Sequence, residues 1–354
     1  MTLQNDVVPP SSQTEHRPAA AAQFVTITEE EAGQRIDNYL LRVCKGVPKS
    51  HIYRILRSGE VRVNKGRIDQ LYRLAAGDLV RIPPVRLAER AAGPAPVPGA
   101  EFRVVHEDSH VLVIDKPAGV AVHGGSGVSY GVIEQLRAAR PDAKFLELVH
   151  RLDRETSGLL LIAKKRSALT DLHDQMREGT TDKRYLTLVT GDWHNQRQHV
   201  RLRLHKYNTP DGEKRVVVVK EGGQEAHTIF NLKRKWPGFA LLEAELKTGR
   251  THQIRVHLAS SGFPIAGDEK YGDFALNKQL QKANDRRGAL RRMFLHAWQI
   301  TFRHPDTGQP LTLRAPLPAE CERFLVSLGP ASDHRPHGGS HDAPQHGPHG
   351  TGDE

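Results

Sequence analysis

The sequence predicts an α+β protein in which a small basic module is joined by a Pro-rich connection to a larger domain of strands flanked by helices. Three observations lead there. Two apolar runs, Phe145 to Val149 and Leu159 to Ala163, enclose the polar turn Arg151-Leu-Asp-Arg-Glu-Thr-Ser-Gly. The second run is unbroken aliphatic and reads as a strand buried on both faces, while charged side chains on a loop between such strands make a poor core and a good site. Segments of helical spacing and segments of alternating polarity follow one another through residues 33–328. Residues 86–100 carry Pro94, Pro96 and Pro98 among Ala and Gly, the composition of a semi-rigid linker.

Composition narrows the function classes. The chain has 354 residues and a formal charge of +10, which favours a polyanionic partner, nucleic acid or an anionic surface. No apolar run approaches the roughly 18 residues of a membrane helix, and no basic-then-apolar secretory signal opens the chain, so no membrane partner and a cytoplasmic location are expected. The only cysteines, Cys44 and Cys321, lack further ligands spaced for zinc and make no disulfide framework.

Residues 1–23 are rich in Pro, Ala, Ser and Gln without periodicity, and disorder is expected there. Arg35-Ile-Asp-Asn-Tyr-Leu-Leu opens a short helix and Pro48-Lys-Ser-His-Ile-Tyr-Arg-Ile-Leu-Arg a second. In the second, Ile52, Ile55 and Leu56 share one side and Arg54 and Arg57 another. Val61-Arg-Val is a strand, Asn64-Lys65-Gly66 a turn, and Leu79-Val-Arg-Ile a further strand. The uncompensated basic charge from Arg35 to Arg67 costs self-repulsion unless a polyanion accepts it.

In the larger domain, Phe102-Arg-Val-Val and Val111-Leu-Val-Ile read as strands, the latter halted by Asp115-Lys116-Pro117 before a turn at Gly119 and the glycine-rich segment after His123. Residues 132–140 and 167–178 read as amphipathic helices, and Asp182-Lys-Arg-Tyr185-Leu-Thr-Leu-Val as an alternating strand. Residues 196–225 are polar, basic and poorly periodic, which suggests exposed strands and turns. Gln253, Arg255 and His257 share a face if their segment is extended, and lie apart if it is helical. Residues 275–292 form a basic polar excursion including Arg286 and Arg287, and 319–328 a last helix. The tail 330–354, with His334, His337, His341, His346 and His349, is expected to be disordered rather than a metal site.

Taken alone, Asp153 is an ordinary turn or capping carboxylate. The stretch His150-Arg-Leu-Asp-Arg-Glu-Thr-Ser-Gly-Leu-Leu-Leu-Ile-Ala-Lys-Lys, however, resembles the signature of the RluA-type pseudouridine synthases. Lys116-Pro-Ala-Gly with the His123 turn, Lys183-Arg-Tyr185, Gly249-Arg-Thr-His-Gln-Ile-Arg-Val-His and Pro264-Ile-Ala-Gly-Asp-Glu-Lys-Tyr-Gly follow the same family in the same order. Thr187 stands where the family usually has Ala. Residues 33–85 resemble an S4 RNA-binding domain through Lys49-Ser, Arg54, Gly59, Val61 and Val63-Asn-Lys.

The resemblance implies an S4-like domain at 33–85 and a catalytic domain at 101–328 built on a long mixed, largely antiparallel sheet. It implies isomerisation of specific uridines in 23S ribosomal RNA of the large-subunit precursor, by a monomer without cofactor or metal. Asp153 would be the catalytic carboxylate, Arg255 its paired cation, gripping it with a planar fork, and Tyr185 the aromatic ring against the uracil. Arg151 would fill the space left by the flipped base. Lys116 and His123, with Lys49, Arg54, Arg57 and Lys65 of the first module, would bind RNA. The same reaction on transfer RNA, and a non-catalytic role in ribosome assembly, are the alternatives.

Overall fold

The computed structural model describes residues 21–44, 46–85, 97–125, 128–210, 212–282 and 288–331. The chain divides into two units, Met1–Pro96 and Val97–Glu354. Most of the segments expected to be disordered, to link or to form the tail lie outside the described residues. At their edges the structure differs from expectation. Gln23 already belongs to a strand, and Ala100 donates its N–H to Gln135 O, fastening residue 100 to a helix.

In the first unit, β1 (Gln23–Thr26), β2 (Arg62–Val63), β3 (Gly66–Arg67) and β4 (Leu79–Ile82) form an antiparallel sheet in the order β1-β4-β2-β3. Helices α1 (Ile36–Val43) and α2 (Lys49–Arg57) pack Ile36, Tyr39 and Leu40 with Ile52, Ile55 and Leu56 against Val61, Val63, Val80 and Ile82. The β2–β3 turn holds Asn64 and Lys65 at φ 50° and 70°, both left-handed, as a two-residue hairpin loop requires. Asn64 bears this because its side chain accepts from Leu79 N at 2.9 Å and donates to Asp78 Oδ1 at 2.8 Å.

The second unit is organised by an 11-stranded sheet among the described residues, in the order β11-β10-β12-β13-β9-β14-β8-β6-β5, with β15 on β14 and β7 on β8. In chain order its elements are β5 (Arg103–Glu107), β6 (Val111–Lys116), α3 (Val132–Ala139), β7 (Glu147–Leu148), β8 (Ser157–Ala163), α4 (Arg166–Glu178), β9 (Asp182–Thr190), β10 (Arg197–Asn208), β11 (Lys214–Val219), β12 (Gln224–Trp236), β13 (Phe239–Leu246), α5 (Gln253–Ser260), α6 (Phe274–Lys282), β14 (Leu295–Arg303), β15 (Pro310–Arg314) and α7 (Ala319–Ser327). The sheet is mixed and largely antiparallel: β8 and β14 run parallel, and the other pairings described are antiparallel.

Strand β8 is buried throughout because helices cover both of its faces. Leu160 and Ile162 share a core with Val132, Ile133 and Leu136 of α3, and Leu159 and Leu161 share another with Leu169 and Leu172 of α4. Residues 196–225 are strands and turns, as expected, chiefly the long hairpin of β10 and β11, in which Val200, Leu202 and Leu204 alternate with basic residues. The excursion after residue 273 begins with helix α6, while 283–287 lie outside the described residues.

Gly158 sits where the parallel pairing begins, opposite Ala297 on one side and Lys116 on the other, with φ +108°. A Cβ there would collide with the Ala297 backbone. Gly158→Ala therefore combines a disfavoured backbone conformation with overpacking, each costing about 1–3 kcal/mol. Thermal unfolding should show a loss of at least about 2 kcal/mol. A melting temperature equal to that of the unsubstituted protein would show that this junction yields easily.

Candidate active site

The turn carrying Asp153 is fastened on three sides. His150 Nε2 accepts the Leu161 N–H at 3.1 Å, and Val149 N donates to Leu161 O, closing the turn over β8. Thr156 N donates to Asp153 O at 3.1 Å. From below, the Lys116 ammonium donates to the carbonyls of Pro117, Val120 and Arg154 at 2.9, 2.8 and 3.1 Å. Gly119 N and Arg154 Nε complete the seam by donating to Arg154 O and Gly119 O.

Lys116 is thus corrected from an RNA contact to a staple. It is fully buried, and three carbonyls match the three donors of an ammonium. Burial pushes its pKa down to about 7. His123, by contrast, is exposed, with Nδ1 against Gly124 O at 2.7 Å.

Arg255 reaches the turn from α5. The segment is a helix rather than a strand, so Gln253, Arg255 and His257 do not share a strand face. Gln253 ties the helix start to β12 through His227 O and Thr228 Oγ1, and His252 precedes it in the left-handed region at φ 52°. The fork of Arg255 does not grip Asp153. Nε and Nη2 bind the two oxygens of Asp268 at 2.8 and 2.7 Å, and the remaining Nη1 donates to Asp153 Oδ2 at 3.3 Å. Bidentate pairing with Asp153 is therefore corrected to bidentate pairing with Asp268 and a single contact to Asp153.

Asp268 Oδ1 also accepts from Lys270 N and Tyr271 N. Burial raises its pKa, but the Arg255 guanidinium and these amides outweigh burial and hold the carboxyl below its ordinary value. The Tyr271 ring lies against the guanidinium at 5.1 Å. Asp268 and Tyr271 had a signal in the sequence, the Gly-Asp-Glu-Lys-Tyr-Gly stretch, but a carboxylate 13 residues from its partner declares no role by itself.

Asp153 borders two clefts of about 400 and 560 Å³, within the roughly 300–1,000 Å³ range of ordinary ligand sites. Tyr185, Met176, Lys183 and Leu295 line the first; His123, Lys214, Lys270 and Arg292 line the second; Arg151, His252 and Arg255 line both. Tyr185 is buried on β9, where burial and then the Asp153 charge raise its pKa. The Arg151 side chain is exposed and makes no hydrogen bond or ion pair among the described residues. Asp153 Oδ1 accepts no hydrogen bond there either, while His252 Nε2 stands 3.9 Å from Oδ2. The result is a carboxylate anchored through one oxygen and open at the other, beside an aromatic ring: a nucleophile or base with a platform for a flat ligand.

Lys49, Arg54, Arg57 and Lys65 are all exposed on the first unit. Arg57 Nε touches Tyr53 O and Arg54 approaches the His51 ring, so neither is spent on an ion pair. One His–Asp–His group among the described residues, His106, Asp108 and His304, has metal-like spacing. His304 Nδ1 accepts from Asp306 N and Thr307 N, which leaves the proton on Nε2, aimed at Asp108 Oδ2 at 2.9 Å. That is the wrong tautomer for ligation through Nε2.

Two family models match the chain, RNA pseudouridylate synthase over residues 110–260 and S4 domain over 34–80. Ribosomal large subunit pseudouridine synthase C of Pasteurella multocida is 52% identical over 313 residues, covering 87% of this chain and 94% of that protein. The protein of the same name from Escherichia coli K12 is 51% identical over 313 residues, covering 87% and 97%. Among solved structures, Human RNA Pseudouridylate Synthase Domain Containing 4 is similar with a TM-score of 0.53 and 25% identity, over 64% of this chain and 92% of that one.

Two predictions follow from the buried groups. Asp268→Asn removes the charge that compensates buried Arg255 and should cost about 3–5 kcal/mol, measured by denaturant unfolding. A loss below 1 kcal/mol would mean that Asp153 alone suffices for Arg255. Secondly, burial holds His150, His252, His257 and His296 near pKa 4, against about 6.5 when unfolded. Below pH 6.5 the unfolded chain takes up protons that the folded chain refuses, so stability present above 6.5 is lost progressively towards pH 4. The melting temperature should fall across that window, and His257→Leu should flatten the fall. A constant melting temperature from pH 7 to 4.5 would contradict it.

Proposed function

The chain belongs to the RluA-type pseudouridine synthase family, with an S4 domain ahead of the synthase domain, and from that premise we propose that it converts specific uridines of 23S ribosomal RNA to pseudouridine with Asp153 as the catalytic carboxylate. The observation that carries the reading is the half-anchored Asp153, one oxygen on Arg255 and the other open beside Tyr185. The ribosomal target is supported by the names of the relatives that match most of the chain's length. A cytoplasmic location and action as a monomer complete the proposal, and no helix among the described residues is long and apolar enough to cross a membrane.

The isomerisation breaks the ribose C1′–N1 bond and forms C1′–C5; N1 gains a proton and C5 loses one, so nothing is oxidised and no group donor is consumed. The uracil leaves its stack at a cost of a few kcal/mol and turns within the cleft. Attack at C1′, addition at C6 and removal of the ribose 2′ proton each use the open oxygen of an ionised Asp153. Arg255 keeps that oxygen aimed, Tyr185 provides the face on which the base turns, and unpaired Arg151 is available to occupy the vacated stack. Basic residues of the S4 domain, Lys49, Arg54, Arg57 and Lys65, hold RNA through phosphate contacts that position without reading sequence.

Asp153→Asn should abolish isomerisation while RNA affinity stays within about tenfold, or 1.4 kcal/mol. Retained turnover on ribosomal RNA would remove Asp153 from the chemistry. Pseudouridine mapping in cells with and without the protein identifies the target; sites lost from transfer RNA alone would overturn the ribosomal assignment. Arg255→Lys keeps one charge but cannot bind both Asp268 oxygens and reach Asp153, so single-turnover rates at saturating RNA should fall at least about 100-fold. A rate near that of the unsubstituted protein would reduce Arg255 to simple charge compensation.

A further inference from the structure

We propose that the open face of β10 is a second RNA-binding track, on the side of the sheet opposite the active-site cleft. The strand registers fix the sides. Tyr185 pairs with Ala244, Ala244 with Phe230 and Phe230 with Gln198, so the even-numbered residues of β10 share the Tyr185 face. On that face α5 covers the strand, with Val256 packed among Leu204, Val216 and Ala226. The odd-numbered residues point the other way. They are Arg197, His199, Arg201, Arg203, His205 and Tyr207, and every one of them is exposed.

This row contains three arginines, two histidines, one tyrosine and no acid. Side chains on one face of a strand recur about every 6.8 Å, so the row extends roughly 34 Å in a straight line. Nearby acids neutralise part of it: Arg197 is 3.6 Å from Glu245 and Arg203 is 2.9 Å from Glu225. Arg201 and His205 form no hydrogen bond or ion pair among the described residues. The field around Arg201 is felt by its cross-strand partner, since His227 is held below its ordinary pKa by burial and then by Arg201 and His199. Tyr207 at the end of the row offers a ring on which a base can stack.

Regularly spaced cations with an aromatic end suit a phosphodiester chain, in which charge also recurs at a fixed interval. The contacts would be to backbone, giving affinity and register without reading sequence. A large folded RNA can occupy both sides of the sheet at once, and a short fragment only one. The proposal rests on RNA being the substrate, but its test reads affinity rather than turnover. Failure of the Asp153 assignment would therefore leave it untouched.

The test uses the full chain carrying Arg201→Gln, Arg203→Gln, or both, with a transcript of large-subunit ribosomal RNA as the probe. The double variant should bind at least about fivefold more weakly, and its plot of log affinity against log salt should be shallower by roughly 1.5, from about 0.7–0.9 for each lost phosphate contact. Single-turnover rates at saturating RNA should not change. Arg203→Gln also breaks the Glu225 pair, so Arg201→Gln alone guards against a folding artefact, and Arg201→Glu should weaken binding further than Arg201→Gln. Affinity and salt slope equal to those of the unsubstituted protein would overturn the track. So would unchanged RNA binding together with lost sedimentation on phosphatidylserine vesicles, which would assign the face to a membrane surface.

Discussion

Everything at the Asp153 turn depends on how one guanidinium divides its donors. Arg255 is almost fully buried, and a buried cation requires a counter-charge that stays in place whatever enters the cleft. Asp268 provides it, sealed from solvent and further fixed by two backbone amides. The third nitrogen is then free to hold Asp153 without having to neutralise it. Had the fork closed on Asp153, both carboxylate oxygens would be committed and the site would be a structural ion pair. Structural support and chemical availability are divided between two acids, only one of which faces the cleft.

The buried histidines follow a related logic. Several imidazoles near the site are kept neutral by burial, among them His150, which accepts a backbone N–H, and His252, which stands beside Asp153. A protonated ring at either position would compete with Arg255 for the carboxylate or lose the acceptor that closes the turn. Positive charge that does not vary near neutrality is thereby left at the cleft to arginine.

How much of this was legible in the sequence differs from element to element. The Asp153 turn and β8 stood out because an aliphatic strand interrupted by charge has few structural explanations. Helix α5 did not, since Gln-Ile-Arg-Val-His-Leu is rich in β-branched and buried residues and shows no amphipathic stripe; packing on β10, β11 and β12 decides its conformation. The alternation of β10 was hidden for the opposite reason, because its polar positions are long cations that dominate any average over the segment. Lys116 looked like a surface cation, and only the tertiary structure shows three carbonyls converging on it. Asp268 was written in a recognisable stretch, yet its function exists only in relation to Arg255.

The parallel pairing of β8 with β14 also bears on how the protein is made. Ser157, four residues after Asp153, meets His296 across a sequence separation of 139 residues, and β14 lies between β8 and β9 in the sheet. During synthesis, the strand that follows the Asp153 turn leaves the ribosome long before its neighbour does. Until residues beyond Leu295 emerge, β8 and β9 present unpaired edges and no finished cleft, a slow and exposed stage for a nascent chain. The pairing of strands so far apart in sequence thus leaves the sheet around the cleft unfinished until β14 has been translated.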